Sequence, residues 1–181
     1  MPFAAIVRRF SVSPWPLPAD WYALPLRAIV GFGFLEHGCA KLARGPDKFV
    51  AILHVIGTPF ADILGPITIA TELLGGLLVL VGAFLPLAAA PMMVVLLVAT
   101  LTVHLKNGFS SIKLLAYDGS GPHFGQPGYE TDLLYAACLL ALCIRGAGSL
   151  SVDSLLAKRR ARTVRRASAA CPDPQMQSRM E

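Results

Sequence analysis

Apolar residues run through this chain in four long blocks, with no regular alternation with charge inside them. A helix that spans a bilayer needs roughly 20 mainly apolar residues. The blocks at residues 21–42, 60–85, 87–105 and 130–144 are read as four such helices. Trp15, Trp21 and Tyr22 supply an interfacial aromatic belt at the start of the first. Pro86 is expected to end the second, and the turn around it is so short that the second and third spans form a tight antiparallel hairpin. The fourth is the shortest, and it fits a bilayer only where neighbours shield it or the membrane thins. Residues 43–59 and 106–129 read as loops. The second is rich in glycine, proline and apolar side chains and is expected to pack on the mouth of the bundle.

Composition agrees with this pattern. The 181 residues are 55% hydrophobic and 15% charged, with a mean hydropathy of +0.60. Soluble domains average about 45–50% and about 25%. A soluble globular protein is therefore excluded, and the length excludes a large many-span transporter. The net charge is +5. Seven of the 16 basic residues lie in the C-terminal tail, as Lys158, Arg159, Arg160, Arg162, Arg165, Arg166 and Arg179, and Arg8 and Arg9 precede the first block. Basic residues that flank spans set topology and meet anionic headgroups, so this charge points to a bilayer and not to nucleic acid. With both ends basic, both termini are expected in the cytoplasm and the two loops outside, which requires an even number of spans.

The expected fold class is thus an all-α integral membrane protein, a four-transmembrane-helix antiparallel bundle over residues 21–146. Residues 1–20 form a cytoplasmic N-terminal segment whose prolines, Pro14, Pro16 and Pro18, argue against a cleaved signal peptide. The first span then acts as the insertion signal. Residues 147–166 read as a basic amphipathic juxtamembrane helix on the inner leaflet, with Lys158, Arg159, Arg160, Arg162, Arg165 and Arg166 as its headgroup contacts. Residues 167–181 read as a disordered tail. Cys39, Cys138, Cys143 and Cys171 show neither a CxxC pair nor metal spacing and read as small apolar fillers.

Ionisable residues inside spans are costly, so each is a candidate for function. On the first span Arg27, Gly31, Phe34, Gly38 and Lys41 lie along one stripe, with His37 beside Lys41. Arg27 and Lys41 are near its ends and have snorkelling as an alternative role. For His37 the alternative is an interhelical hydrogen bond. On the second span Gly65, Thr68, Glu72, Gly75, Val79 and Gly82 share a face whose small residues let a neighbour approach closely, with Gly76 beside them. Glu72 lies mid-span and must be protonated or paired, with Lys41 or Arg27 as its natural partners. On the third, Met93, Leu97, Thr100 and His104 form a stripe, and Glu130 opens the fourth. In the predicted topology His37, Lys41, Glu72, His104 and Glu130 share the outer half of the bundle. That placement predicts a polar pocket opening outward.

At these residues the sequence resembles the DoxX family of four-helix bacterial inner-membrane proteins, in the DoxD-like superfamily, over residues 24–156. The segments that carry the likeness are LRAIVGFGFLEHGCAKL, IGTPF, TELLGGLLVLVGAF, VHLKNGF and GYETDLLY. Arg27, His37, Gly38 and Lys41 match the family's first-helix elements, and Glu72, Gly75 and Gly76 its second. His104 matches the third and Glu130 the fourth. The resemblance implies a multi-pass protein of the bacterial inner membrane. Similar proteins act in thiosulfate:quinone oxidoreduction or in complexes with thiol-redox and superoxide-handling enzymes. The expected function is a redox-associated membrane subunit, linked to quinone or to thiol and sulfur chemistry, with a quinone as the candidate cofactor. The alternatives are a non-enzymatic scaffold that binds a partner and, third, a small transporter. Expected partners are the lipid bilayer, a membrane or soluble redox protein and a second copy of the chain. No metal site is expected.

Overall fold

The computed structural model describes residues 18–170 and is mostly helical. A short 3-10 turn, Ala19–Tyr22, leads into α1, Ala23–Arg44. Then come α2, Pro46–Val55; α3, Ala61–Val81; and α4, Leu85–Ala99. A π-turn, Thr100–His104, and a 3-10 turn, Leu105–Asn107, extend α4. Strands β1, Leu114–Asp118, and β2, Gly121–Phe124, pair antiparallel. Helices α5, Glu130–Arg145, and α6, Val152–Ala170, complete the chain.

Four helices form a ring: α1 packs on α3, α3 on α4, α4 on α5, and α5 back on α1. The core between them holds Val30, Phe34, Val79, Leu85, Met92, Leu139 and Leu142. All four also turn large apolar side chains outward, among them Ile29 and Phe32, Leu74, Val94, and Leu134 and Ile144. Helices Ala61–Val81 and Leu85–Asn107 are long and apolar enough to cross a membrane. By contrast, α1 is diluted by Arg27, Glu36, Lys41 and Arg44, and α5 has only 16 residues, about 24 Å of helix.

The closest approach is between α1 and α3. A Cβ placed at Gly31 would stand 2.8 Å from the carbonyl oxygen of Gly76, and one at Gly76 would stand 2.8 Å from that of Gly31. Two backbones meet there with no side chain between them. The buried stripe of α1 is Arg27, Gly31, Phe34 and Gly38, and that of α3 runs through Gly65, Glu72, Gly75 and Val79. These are the faces expected from the spacing. The seam of α4 is different: Met92 and Leu96 are buried while Leu97 is exposed.

Four other expectations change. The α3–α4 turn lies at Gly82–Phe84, with Gly82 and Phe84 both left-handed, and Pro86 sits in the first turn of α4. Proline is well accommodated there because a first-turn N–H has no helical partner. Residues 43–59 are not a plain loop but carry α2, opened by Gly45 and Pro46 and packed on α3 through Leu53 and Val50. Residues 106–129 carry the β-hairpin, whose apolar side chains Leu114, Leu115, Tyr117 and Phe124 are exposed. Helix α6 continues to Ala170, past the point where the tail was expected to begin.

Replacing Gly76 with alanine drives a methyl into backbone atoms and is expected to destabilise the fold by about 1–3 kcal/mol. Gly119→Ala, which meets nothing within 4 Å, is the neutral control. Thermal unfolding of the detergent-purified protein reads both. At the hairpin tip, hydrogen bonds from the Ser120 hydroxyl and backbone, and then from His123, hold the Asp118 carboxyl below its ordinary value. A lowered carboxyl stabilises the turn above its unfolded pKa, and that contribution is lost as pH falls through the folded one. The Ser120 amide resonance is therefore expected to stay constant at neutral pH and to move only under acid conditions.

Candidate functional site

The ring has a tail end, where α6 begins, and a hairpin end opposite. Arg27 belongs to the tail end. Its guanidinium is buried and donates to four carbonyls: Val79 at 3.2 Å, Leu80 at 2.8 Å, Ala147 at 3.0 Å and Leu150 at 2.8 Å. The last carbonyls of a helix have no helical partner, and here one side chain satisfies those of α3 and of the segment after α5 together. Arg27 therefore neither snorkels nor pairs with Glu72.

Lys41 is the partner of Glu72. The two form an ion pair across the α1–α3 seam, with Nζ on Oε1. Gly38 makes room for it, since a Cβ there would stand 3.2 Å from the Glu72 Cβ. The Glu72 side chain is 5% exposed and that of Lys41 24%, so the pair is sealed on the Glu72 side and partly open on the Lys41 side. The Lys41 ammonium also lies 4.8 Å from the centre of the Phe49 ring on α2. The second carboxylate oxygen, Oε2, is buried and has no hydrogen-bond partner among the described residues. A buried acceptor left unpaired costs about 1–3 kcal/mol, more when charged.

A second polar group bridges α4 and α5. Asp132 is 8% exposed, and its Oδ2 accepts from the Thr100 hydroxyl at 2.8 Å and lies 2.6 Å from His104 Nδ1. The π-turn carries both Thr100 and His104, and such turns recur at functional positions. With Nδ1 on the carboxylate, Nε2 is the second ring nitrogen left for another partner. Asp132 is absent from the sequence-based candidates. In the first turn of α5, two residues after Glu130, it reads as an ordinary complement to the helix dipole. Its spacing onto the buried face with Leu139 and Leu142 was the available signal.

One turn further into the bundle, Tyr135 stacks on Phe34 at 5.9 Å and lies over Gly33. Glu72 is level with Gly38, four residues or about 6 Å beyond Phe34 toward the hairpin end. Asp132 is three residues or about 4.5 Å beyond Tyr135 in the same direction. The two carboxylates thus occupy the same level on diagonal helices.

The other candidates separate. His37 is exposed, as is Glu36. Glu130 accepts from the Ser111 backbone N–H at 2.9 Å, and that tie fastens the loop after α4 to the start of α5. Gly75 receives Met92, and Gly82 lies against Arg27 and Ser151. Cys39 is exposed, and Cys138 and Cys143 are half-buried against the core. An apolar groove of about 270 Å³ runs between α3 and α4 past Thr71, Gly75, Ala88 and Pro91, and none of the paired residues lines it.

Lys41→Ala would strand the Glu72 carboxylate and is expected to cost about 2–3 kcal/mol, below the figure for a fully buried pair because Lys41 is partly exposed. The double variant Lys41→Met/Glu72→Leu should recover most of it. A thermodynamic cycle over the single and double variants measures the coupling.

Residues 22–105 match the model of the DoxX family. That stretch covers α1 to α4 with their turns and includes Arg27, Lys41, Glu72 and His104. An uncharacterized protein of Haemophilus influenzae is 28% identical over 139 residues, which are 75% of this chain and 83% of that relative. No solved structure matches. Over residues 22–105 the chain is therefore similar to the DoxX family.

Proposed function

We propose that this protein is a redox-associated subunit of the bacterial inner membrane that binds a quinone headgroup beside Glu72 and Lys41. The observation that carries the reading is Glu72 Oε2, a buried carboxylate oxygen with no hydrogen-bond partner among the described residues, next to a partly exposed ammonium. The donor set fits such a ligand. Lys41 Nζ can donate to a carbonyl oxygen, and Oε2 can accept from a hydroxyl. A bound quinone supplies a carrier of two electrons and two protons. Glu72 is the residue of this chain that takes or returns a proton at that site, and Lys41 holds its charge in place. The four cysteines include no CxxC, so thiol or sulfur electrons come from a partner oxidoreductase.

In this reading α1, α3, α4 and α5 are four spans with both termini cytoplasmic. The apolar side chains that all four turn outward support it, α1 and α5 included. The level shared by Glu72 and Asp132 supports a single polar layer toward the hairpin end. His104, bonded to Asp132 through Nδ1, belongs to that layer on the α4 side.

A second reading is a non-enzymatic scaffold. It is favoured by the continuity of the Gly31, Gly38 and Lys41 stripe, in which the ion pair would only fix the register of α1 on α3.

Glu72→Gln separates the two, because glutamine can still accept from Lys41. Under the quinone reading, quinol binding to the detergent-purified protein weakens roughly 10–100-fold, the loss of one charge-assisted hydrogen bond, while helicity and melting temperature hold. Unchanged quinol binding, or a loss confined to folded yield, would replace it with the scaffold.

A further inference from the structure

The tail end carries a junction that the redox reading does not use. Asp153, in the first turn of α6, accepts from the backbone N–H of Phe84 at 2.9 Å, and its own N–H donates to the Gly82 carbonyl at 3.0 Å. The Ser151 hydroxyl accepts from the Ser154 N–H at 3.1 Å, a local cap for the helix start. Arg27 holds the carbonyls of Ala147 and Leu150 just before it. The Tyr22 hydroxyl donates to Gly146 at 2.9 Å. The start of α6 is therefore fastened to α1, to the α3–α4 turn and to the end of α5.

From that fixed origin the helix changes character along its length. Val152, Leu155 and Leu156 in its first turns are apolar and exposed. Lys158, Arg159, Arg160 and Arg162 follow, all exposed. Asp153 is occupied at the junction, and no acidic residue lies between Ser154 and Ala170 to balance them. The step from apolar to basic within two turns, about 11 Å, has the scale of the step from hydrocarbon to headgroup. Arg145, at the end of α5, and Trp21, at the start of α1, are exposed at the same end and belong to residue types that favour that boundary.

We propose that the basic turns of α6 bind the phosphates of anionic phospholipids in the leaflet at the tail end, with the Arg27 and Asp153 junction setting the height at which they are presented. Charge complementarity selects this occupant, since uncompensated cations beside a lipid-facing apolar surface meet headgroup phosphates first. The proposal requires only that the bundle is embedded in a bilayer. It is independent of any quinone.

The full chain, reconstituted in mixed phosphatidylglycerol and phosphatidylcholine and released into mild detergent, is examined by native mass spectrometry for retained lipid. Wild type is expected to keep phosphatidylglycerol in preference. The variant with Lys158, Arg159, Arg160 and Arg162 all changed to glutamine should lose that preference about five-fold or more. Neutralising Lys106 and Lys113 at the hairpin end should leave it unchanged. The four positions are exposed, and an unchanged melting temperature checks that the variant still folds. Adding inorganic phosphate distinguishes a phospholipid site from a free-phosphate site: displacement of the lipid at millimolar phosphate would overturn the lipid assignment. So would a preference that survives the quadruple substitution or that follows Lys106 and Lys113.

Discussion

The approach of α1 to α3 at Gly31 and Gly76 is the constraint on which the rest of this structure depends. With two backbones in contact, the helices cannot slide or rotate without collision. That contact fixes what lies one to three turns away. Gly38 comes over Glu72, Lys41 reaches its carboxylate, and Arg27, on the same stripe in the other direction, meets the end of α3. A bulkier pair of residues would part the helices and separate the charges. The glycines therefore act in the electrostatics of the bundle as much as in its packing.

An apolar bundle has few ways to satisfy the backbone groups at its helix ends, and this one uses side chains that serve two elements at once. Arg27 takes carbonyls from α3 and from the segment after α5. Asp153 takes the N–H that opens α4 while it anchors α6. At the opposite end Glu130 takes the Ser111 N–H, and the Gly128, Tyr129 and Glu130 N–H groups bond back to residues 108–110. Where water is scarce, each such bond avoids the cost of an orphaned polar group. Of the charged residues that look functional in the sequence, Arg27 and Glu130 are engaged in this way. Glu72 differs from them in keeping a buried oxygen with no partner among the described residues.

The sequence by itself determined the helical, membrane-like character of the chain, the packing faces of α1 and α3, and the pairing of Glu72 with a basic residue of α1. These follow from composition and from periodicity along one helix, which are local properties. The tertiary structure decided everything that depends on how helices turn toward one another. It selected Lys41 over Arg27 as the partner of Glu72, because antiparallel packing sets Gly38 and not Gly31 level with that carboxylate. Helical periodicity places a residue on a face of its own helix but carries no information on which neighbour that face meets. For that reason His37 was expected inside and lies outside, and Asp132 was passed over although it binds His104 and Thr100. Helix α2 went unseen for a different reason. Ten residues are too few to be stable alone, and its helicity comes from burying Leu53 against α3, a contact that exists only once the chain is folded.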